Sequence, residues 1–367
     1  MHVVVGLLGA ALVAVNLAEF FVMIVLPRRV KRSVRLARRV FTVTWIPARA
    51  LARRLSSRTA DTFLGVFGPL GLFAILALWT VGVILGFAAL QWAGGSHVVP
   101  HRSGTFFDDL YFSGGAFLSA SGGTSPQNAF SKVVLLLEAG TGLMILFIVI
   151  GYLPALYEAF SRREVVVSQL DPRAGSPPSA GALLMRSADR GGWEEIATYL
   201  DEWDTWTAEL METHLSYPVL AYYRSQHVNQ NWLTALTAAV DTSAFAMAAA
   251  PAPAAHAGEL TFAIGRHALA DLAYTFRAEP RGPGEERLPR ETLSDLYDDL
   301  AERDLDLVDL DLVRERLTQL RSTYEPYANA LSQHLAVPLP SWMPRDDAQR
   351  NWEEALWQSR RGVSSLP

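Results

Sequence analysis

The chain of 367 residues contains no cysteine. This absence excludes disulfide bonds, thiolate catalysis and zinc or iron–sulfur sites built on cysteine. The sequence also has no G-x-G-x-x-G after a strand-like segment and no G-x-x-x-x-G-K-S/T, so neither common nucleotide-binding fold is expected. No Ser-His-Asp order or pair of acids stands out as a catalytic motif. We therefore predict that the protein is not an enzyme and uses no cofactor.

Charge is nearly absent from three long segments, residues 3–26, 62–96 and 133–157, in which Glu19 and Glu138 are the only acids. As a helix, each segment can cross a hydrocarbon core of about 30 Å, which needs roughly 20 residues. The chain becomes charged from about residue 161 onward. The pattern predicts an all-α membrane protein followed by a helical domain outside the membrane. Because the start lacks the basic residues and cleavage site of a signal peptide, we expect the first helix to be retained.

Positive charge is concentrated between the first two apolar segments. Residues 1–60 carry a net charge of +10 and the remainder carries −15, which gives −5 for the whole chain. The positive-inside rule places this basic loop in the cytoplasm, the N-terminus outside and the C-terminal domain in the cytoplasm. A second basic cluster at Ser161-Arg162-Arg163, where the third helix is expected to leave the membrane, agrees with this orientation.

The basic segment, residues 28–58, has apolar side chains at helical spacing, among them Phe41 and Trp45. It is either a basic helix on the anionic lipid headgroups of the inner leaflet or a stop-transfer signal and nothing more. Because it lies against a membrane, we do not expect it to bind nucleic acid. The predicted divisions are 1–60 (first membrane helix and basic segment), 61–163 (two membrane helices and their connection) and 164–367 (helical cytoplasmic domain).

In the cytoplasmic domain we predict a linker at 171–181, a break at 251–257 and helices at about 181–200, 203–215, 217–250, 258–276, 290–302 and 306–335. Glu212, His214 and His227 are the nearest approach to a metal-binding group, but their spacing matches no metal signature, so packing or interface roles are favoured. The aromatic and polar run from Tyr217 to His227 could line a pocket or a subunit contact, and core packing is the favoured interpretation. The sequence does not identify a ligand or partner for this domain.

Residues 105–127, TFFDDLYFSGGAFLSASGGTSPQ, are too short and too polar to cross a bilayer. Thr105 and Asp108 have the spacing of a capping box, which predicts a helix start. The helix should end near Leu118, before a stretch rich in serine and glycine. Non-helical backbone at membrane depth survives only if protein buries it or if it lines a wet cavity. The C-terminal end of such a short helix favours a cation, so the segment is predicted to dip into the membrane beside an ion path.

Two motifs support a family resemblance over roughly residues 62–160. Asp108, Leu110, Tyr111, Phe112 and Ser113 resemble the D-x-L-Y-F-S that opens many bacterial pore helices. Residues 137–143, LEAGTGL, resemble the L-E-x-x-x-G-x start of the inner helix. This part of the chain is similar to the pore unit of two-transmembrane, pore-loop bacterial potassium channels.

The resemblance implies an outer helix, a pore helix, a filter and an inner helix, preceded here by an extra N-terminal membrane helix. It also implies a homotetramer in the bacterial plasma (inner) membrane that passes a monovalent cation, K⁺ or Na⁺. The expected filter is Ser119, Ala120, Ser121, Gly122 and Gly123. It departs from the family's T-T-V-G-Y-G, because Ser121 replaces the first glycine and Gly122 replaces the tyrosine.

The departure leaves alternatives open. The chain could be a non-conducting, channel-derived membrane sensor or scaffold, or a membrane-anchored enzyme with its site in the cytoplasmic half.

Three further positions are candidates for pore support or gating. Glu138 is an acid inside a membrane helix, which marks either function or a structural hydrogen bond. Gly142 allows close packing or bending, and Pro154 is expected to kink the inner helix.

Overall fold

The computed structural model describes residues 1–26, 36–55, 57–95, 98–99, 105–120, 125–226, 229–282 and 286–344. Nearly all of the described chain is helical, and two strands of two residues each form one antiparallel pair. The helices and strands, in chain order, are α1 (His2–Phe20, continued by a π-helical turn Phe21–Val25), α2 (Leu36–Ala52), α3 (Ser57–Ala93), β1 (Val98–Val99), α4 (Phe106–Phe117), β2 (Ser125–Pro126), α5 (Ala129–Ala174), α6 (Ala180–Ala188), α7 (Gly192–Ser216), a 3₁₀ turn (Pro218–Tyr222), α8 (Trp232–Ala249), α9 (Ala252–Phe276), α10 (Arg290–Glu302) and α11 (Leu310–Leu335).

The chain divides into two units. The first contains Met1–Arg54 and Val66–Glu158, and the second contains Leu55–Gly65 and Ala159–Pro367. Among the described residues, four helices are long and apolar enough to cross a membrane: His2–Val25, Thr59–Ala93, Ala129–Ala174 and Trp232–Ala249. The first three correspond to the three predicted apolar segments, which supports the prediction of an all-α membrane protein. The fourth is almost entirely buried within the second unit, so its apolar composition reflects a protein core.

In the first unit, small residues bring α1 and α3 close together. A Cβ at Gly9 would lie 2.7 Å from the carbonyl oxygen of Gly86, and one at Gly82 would lie 2.6 Å from Asn16 Oδ1. Membrane helices associate through such close contacts because lipid offers no hydrophobic force between them. At the other end of the pair, Phe20 packs edge-on against Trp79 at 5.4 Å. Asn16 is therefore a residue of the α1–α3 interface.

Helix α2 packs its aromatic face on α3 within the first unit. Phe41 and Trp45 are buried, and their rings lie 5.9 and 4.7 Å from the ring of Phe67. Gly71 leaves room for Phe41, because a Cβ there would lie 2.7 Å from the Phe41 ring. Phe41 and Trp45, two of the apolar side chains that suggested a helix lying on the membrane, therefore contact protein.

The second unit is a bundle in which α7, α9 and α11 surround α8. Seventeen of the 18 residues of α8 are buried, and their neighbours include the fully buried rings of Tyr324 and Trp342. Asn231 caps α8 by accepting a hydrogen bond from the backbone N–H of Leu233 at 2.8 Å. A polar residue at this position satisfies a donor that the helix itself leaves unpaired.

Several predicted helix boundaries were wrong. The helices predicted at 181–200 and 203–215 are α6 and α7, which are separated at residues 189–191, and the linker predicted at 171–181 begins only after Ala174. The predicted helix at 217–250 is a 3₁₀ turn followed by α8 from Trp232, because Pro218 and the Asn231 cap interrupt it. The break predicted at 251–257 is confined to Ala250 and Pro251, and residues 252–257 belong to α9, whose first turn tolerates a proline because its missing N–H would have no partner. The third membrane helix was predicted to end at Ser161-Arg162-Arg163, but α5 continues to Ala174. It passes through Pro154 without interruption, and the kink predicted there stays a prediction.

Candidate functional site

The short helix α4 begins as the sequence predicted. Thr105 Oγ1 accepts a hydrogen bond from the backbone N–H of Asp108, and Asp108 Oδ2 accepts one from the backbone N–H of Thr105 at 3.2 Å. This confirms the capping box. The acidic side chains of Asp108 and Asp109 in the first turn also suit the positive end of the helix dipole. Just outside the helix, Val98–Val99 pairs with Ser125–Pro126 and holds the two ends of the segment together.

The C-terminal end of α4 is closed by Ser119, the first residue of the predicted filter. Ser119 has a left-handed backbone with φ of 56°. Its N–H donates to the Ala116 carbonyl at 3.0 Å, and the N–H of Ala120 donates to the Gly115 carbonyl at 2.7 Å. These two bonds form a Schellman cap, which usually has glycine at the left-handed position. A serine there costs about 1–2 kcal/mol.

The remaining predicted filter residues, Ser121, Gly122 and Gly123, lie outside the described residues. The role of residues 119–123 as an ion filter therefore stays a prediction. What the structure adds is that Ser119 and Ala120 use their N–H groups to end α4. The carbonyls of Gly115 and Ala116 are consequently hydrogen-bonded within the cap.

Gly142 is the point at which α5 meets the end of α4. A Cβ added at Gly142 would overlap the carbonyl oxygen of Phe117, whereas a Cβ at Gly140 would meet nothing within 4 Å. Position 142 thus has room only for glycine, because the backbones of α4 and α5 are in close contact there. This position agrees with a supporting role, and the proposed gating role stays a prediction.

Glu138 lies one turn before Gly142 on α5 and is fully buried. The Ser113 hydroxyl of α4 faces its carboxylate, but neither carboxylate oxygen has a hydrogen-bond partner in good geometry among the described residues. Ser113 lies one turn before Phe117 on α4. The two contacts, Ser113 with Glu138 and Phe117 with Gly142, advance by four residues on both helices. Helices α4 and α5 therefore run in the same direction along their contact.

A buried ionic network in the second unit escaped sequence reasoning. Asp241 is the one charged residue of α8, and it accepts hydrogen bonds from Arg287 and from the Tyr324 hydroxyl. Arg287 also donates to Glu325 at 3.2 Å, and Glu325 accepts from Arg321 at 3.0 Å. The clue was a lone acid in an otherwise apolar helix, because a buried charge must be paired. The partners come from α11 and from the segment before α10, which a sequence pattern does not bring together.

The role of this network is structural, because its hydrogen bonds hold its side chains in place. Burial raises the pKa of Tyr324 well above its usual value, and the adjacent Asp241 acts in the same direction. The phenol therefore stays protonated and donates its hydrogen bond. Arg287 Nε also donates to the Pro340 carbonyl at 2.9 Å, which attaches the C-terminal segment to α8 and α11.

A second buried cluster surrounds Arg163. Its guanidinium donates to the carbonyls of Leu220 and Tyr223 at 2.9 and 3.0 Å, to Glu164 at 2.9 Å, and lies 3.3 Å from His214 Nε2. Arg163 was expected at the membrane exit as part of a basic cluster. Its side chain is buried in the second unit and holds the turn at 217–223, and the membrane exit at this point stays a prediction.

The possible metal group is not assembled. His214 uses both ring nitrogens, Nδ1 with the Leu210 carbonyl at 2.8 Å and Nε2 with Arg163. Glu212 is exposed, and His227 lies outside the described residues. Among the described residues, no group of three or more His, Asp or Glu side chains could hold a metal ion.

The aromatic and polar run after Tyr217 packs within the second unit. The Tyr222 hydroxyl lies 3.0 Å from His334 Nε2, and Tyr223 is buried. Arg224 donates to the carbonyls of Leu335 and Ala336 at 2.8 and 3.0 Å, so it caps the C-terminal end of α11. Core packing, the favoured interpretation, accounts for these three residues.

Comparisons with family models, with curated proteins and with solved structures gave no match for this chain.

Proposed function

We propose that the protein is a tetrameric, potassium-channel-like ion channel of the bacterial plasma membrane. It would pass a monovalent cation, K⁺ or Na⁺, through a non-standard filter at residues 119–123. The observation that carries the proposal is the direction of α4. Because α4 runs alongside α5 and in the same direction, the chain must turn back after Phe117 to reach the start of α5 at Ala129.

The depth of this turn supports a path inside the membrane. Gly142 lies 13 residues after Ala129 on α5, and a rise of about 1.5 Å per residue makes this about 20 Å along the helix. If α5 crosses a hydrocarbon core of about 30 Å, the end of α4 lies well inside it. Polar backbone at that depth requires protein or water around it, and the negative end of the α4 dipole favours a cation there.

A non-conducting sensor or scaffold is the second candidate, and one observation favours it. Ser121 and Gly122 replace the first glycine and the tyrosine of the family's filter. A filter of the family's kind needs carbonyl oxygens that are held in place and free to replace the water around an ion. A chain that keeps the scaffold without that filter would not conduct.

The orientation and the lipid partner are part of the same proposal. The basic loop would face the cytoplasm, with the N-terminus outside and the second unit in the cytoplasm. Opposite its buried aromatic face, α2 exposes Val43 and Ile46 between the exposed arginines Arg39 and Arg53. Apolar and basic side chains at this spacing suit the headgroup layer of an anionic leaflet.

The lipid contact is tested in nanodiscs made with and without phosphatidylglycerol. The anionic lipid should raise the midpoint of thermal unfolding, and the pair Arg39→Gln and Arg53→Gln should reduce that increase. The control pair, Arg190→Gln and Arg290→Gln, changes two exposed arginines of the second unit. An equal loss in both pairs would contradict a contact at α2.

Conduction is tested by K⁺ and Na⁺ flux into liposomes that contain the purified full-length protein. The proposal expects cation flux above that of empty liposomes. The pair Ser121→Gly and Gly122→Tyr restores two positions of the family's filter and should shift the permeability ratio toward K⁺. An unchanged ratio would contradict the filter assignment, and the absence of any flux would favour the scaffold. The variant Gly140→Ala, whose new methyl group meets open space, controls for changes in the pore unit that leave the packing intact.

A further inference from the structure

A groove of about 390 Å³ lies in the second unit between α8, α9 and α11. Its lining combines an apolar floor with two arginines, and none of these residues belongs to the proposed ion path. The floor is formed by Met247, Phe262 and Leu320, and the arginines are Arg266 and Arg316. We propose that this groove binds a small anionic molecule with an aromatic or apolar body. The inference does not depend on the proposed ion conduction.

The floor of the groove is preformed. Phe262 is 7% exposed and packs edge-on against the ring of Tyr324 at 5.8 Å. Tyr324 is itself held by its hydrogen bond to the buried Asp241. The ring contact with Tyr324 and the hydrogen bond from Tyr324 to Asp241 therefore hold in place the Phe262 ring that a ligand would contact. A preformed apolar surface with few polar groups around it is the usual architecture of a small-molecule site, and about 390 Å³ falls within the common range for such sites.

The guanidinium groups of Arg266 and Arg316 have N–H donors left for a ligand. Arg316 makes one long hydrogen bond from Nη1 to the Ala248 carbonyl at 3.4 Å. Within the described part of the chain, no ion pair links Arg266 or Arg316 to an acid, whereas Arg287 and Arg321 of the same unit are both paired. The residues one turn away on either helix are not acidic, so no neighbour on the same face neutralises them.

These features together indicate which kind of molecule the groove would bind. A guanidinium offers a planar pair of donors that matches a carboxylate or phosphate. An inorganic anion would pair with the arginines and leave the apolar floor in water. A neutral apolar molecule would cover the floor and leave both charges unpaired. A molecule with an anionic group and one or two rings satisfies both parts of the lining, and Gln319 and Thr323 add polar contacts at the rim.

The test uses 1-naphthyl phosphate as the probe and full-length protein in nanodiscs of neutral lipid. Calorimetric titration should show saturable binding beyond that of empty nanodiscs. Binding of 1-naphthol and of inorganic phosphate should each be weaker by about tenfold or more, because each lacks one half of the interaction. Absence of saturable binding of 1-naphthyl phosphate at millimolar concentration would overturn the proposal.

Two kinds of variant locate the site. The pair Arg266→Gln and Arg316→Gln should weaken binding by about tenfold or more, since a charge-assisted hydrogen bond contributes about 1.5–3 kcal/mol. The change Thr323→Trp fills the groove without altering charge and should also abolish binding. Arg290→Gln, at an exposed arginine of α10, is the control and should bind like the unaltered protein. Equal affinity in the double variant, or in Thr323→Trp, would place the probe elsewhere and refute the site.

Discussion

At the scale of single residues, His214 shows how a buried neighbour sets the protonation of a side chain. Its Nδ1 donates to the Leu210 carbonyl, so Nε2 is the acceptor for the Arg163 guanidinium at 3.3 Å. Burial and, second to it, the positive charge of Arg163 lower the pKa of His214 to about 3, while the hydrogen bond to Leu210 acts in the opposite direction. A proton on Nε2 would place a second positive charge beside Arg163. The folded protein therefore holds this histidine neutral.

This arrangement predicts a loss of stability in mild acid. The unfolded chain binds a proton at His214 below about pH 6.5, but the folded chain does not do so until about pH 3. The stabilisation is complete above pH 6.5, and the free energy of unfolding falls by up to about 1.4 kcal/mol per pH unit as the pH decreases below it. Denaturant unfolding in detergent, followed by tryptophan fluorescence between pH 7 and pH 5, measures this slope.

His214→Gln should remove that contribution to the slope, whatever its effect on stability at pH 7. His256→Gln is the matched control, because it removes a histidine whose side chain is 71% exposed at the surface. The interpretation fails if the slope is the same in His214→Gln as in the unaltered protein.

At the scale of helices, the sequence predicted those features whose signals are local. The start of α4 follows from Thr105 and Asp108, which are three positions apart, and the long apolar segments identify α1, α3 and α5. The network around Asp241 was missed because its partners Arg287 and Tyr324 lie 46 and 83 positions away. No pattern along the chain records which distant side chains meet. Gly142 was noted as a small residue, but its contact with the α4 carbonyl depends on how two helices pack.

The contact between α4 and α5 gives a prediction with a control in the same helix. In Gly142→Ala the added methyl group overlaps the Phe117 carbonyl oxygen, so the backbones must separate. Overpacking of this kind costs about 1–3 kcal/mol. In Gly140→Ala the methyl group meets open space, and replacing a helical glycine gains about 0.5–1 kcal/mol.

The midpoint of thermal unfolding in detergent should therefore fall for Gly142→Ala and rise or stay constant for Gly140→Ala. If the α4–α5 contact also holds the ion path, Gly142→Ala should reduce cation flux in the liposome assay. Two variants with equal midpoints would show that the backbones do not meet at Gly142.

At the scale of the whole molecule, a single chain leaves one side of α4 uncovered. Phe107, Tyr111 and Leu118 are 77%, 79% and 70% exposed, and they follow one stripe of the helix. A dipping segment has polar backbone groups near its end, which require surrounding protein or water inside a bilayer. Under the proposed function each chain contributes one such segment, so a closed ion path would need several copies around an axis. The stripe is where we expect a neighbouring subunit to pack.

Native mass spectrometry of the protein released from nanodiscs should therefore give the mass of four 40.3 kDa chains. Tyr111→Ser removes an aromatic ring from the stripe and should shift the population toward smaller species, because aromatic anchors contribute strongly to interfaces. Tyr274→Ser removes a ring that is 68% exposed on α9 and should leave the tetramer intact. A monomer or dimer of the unaltered protein in lipid would contradict a central pore. An equal shift in Tyr111→Ser and Tyr274→Ser would show that the α4 stripe is not the subunit contact.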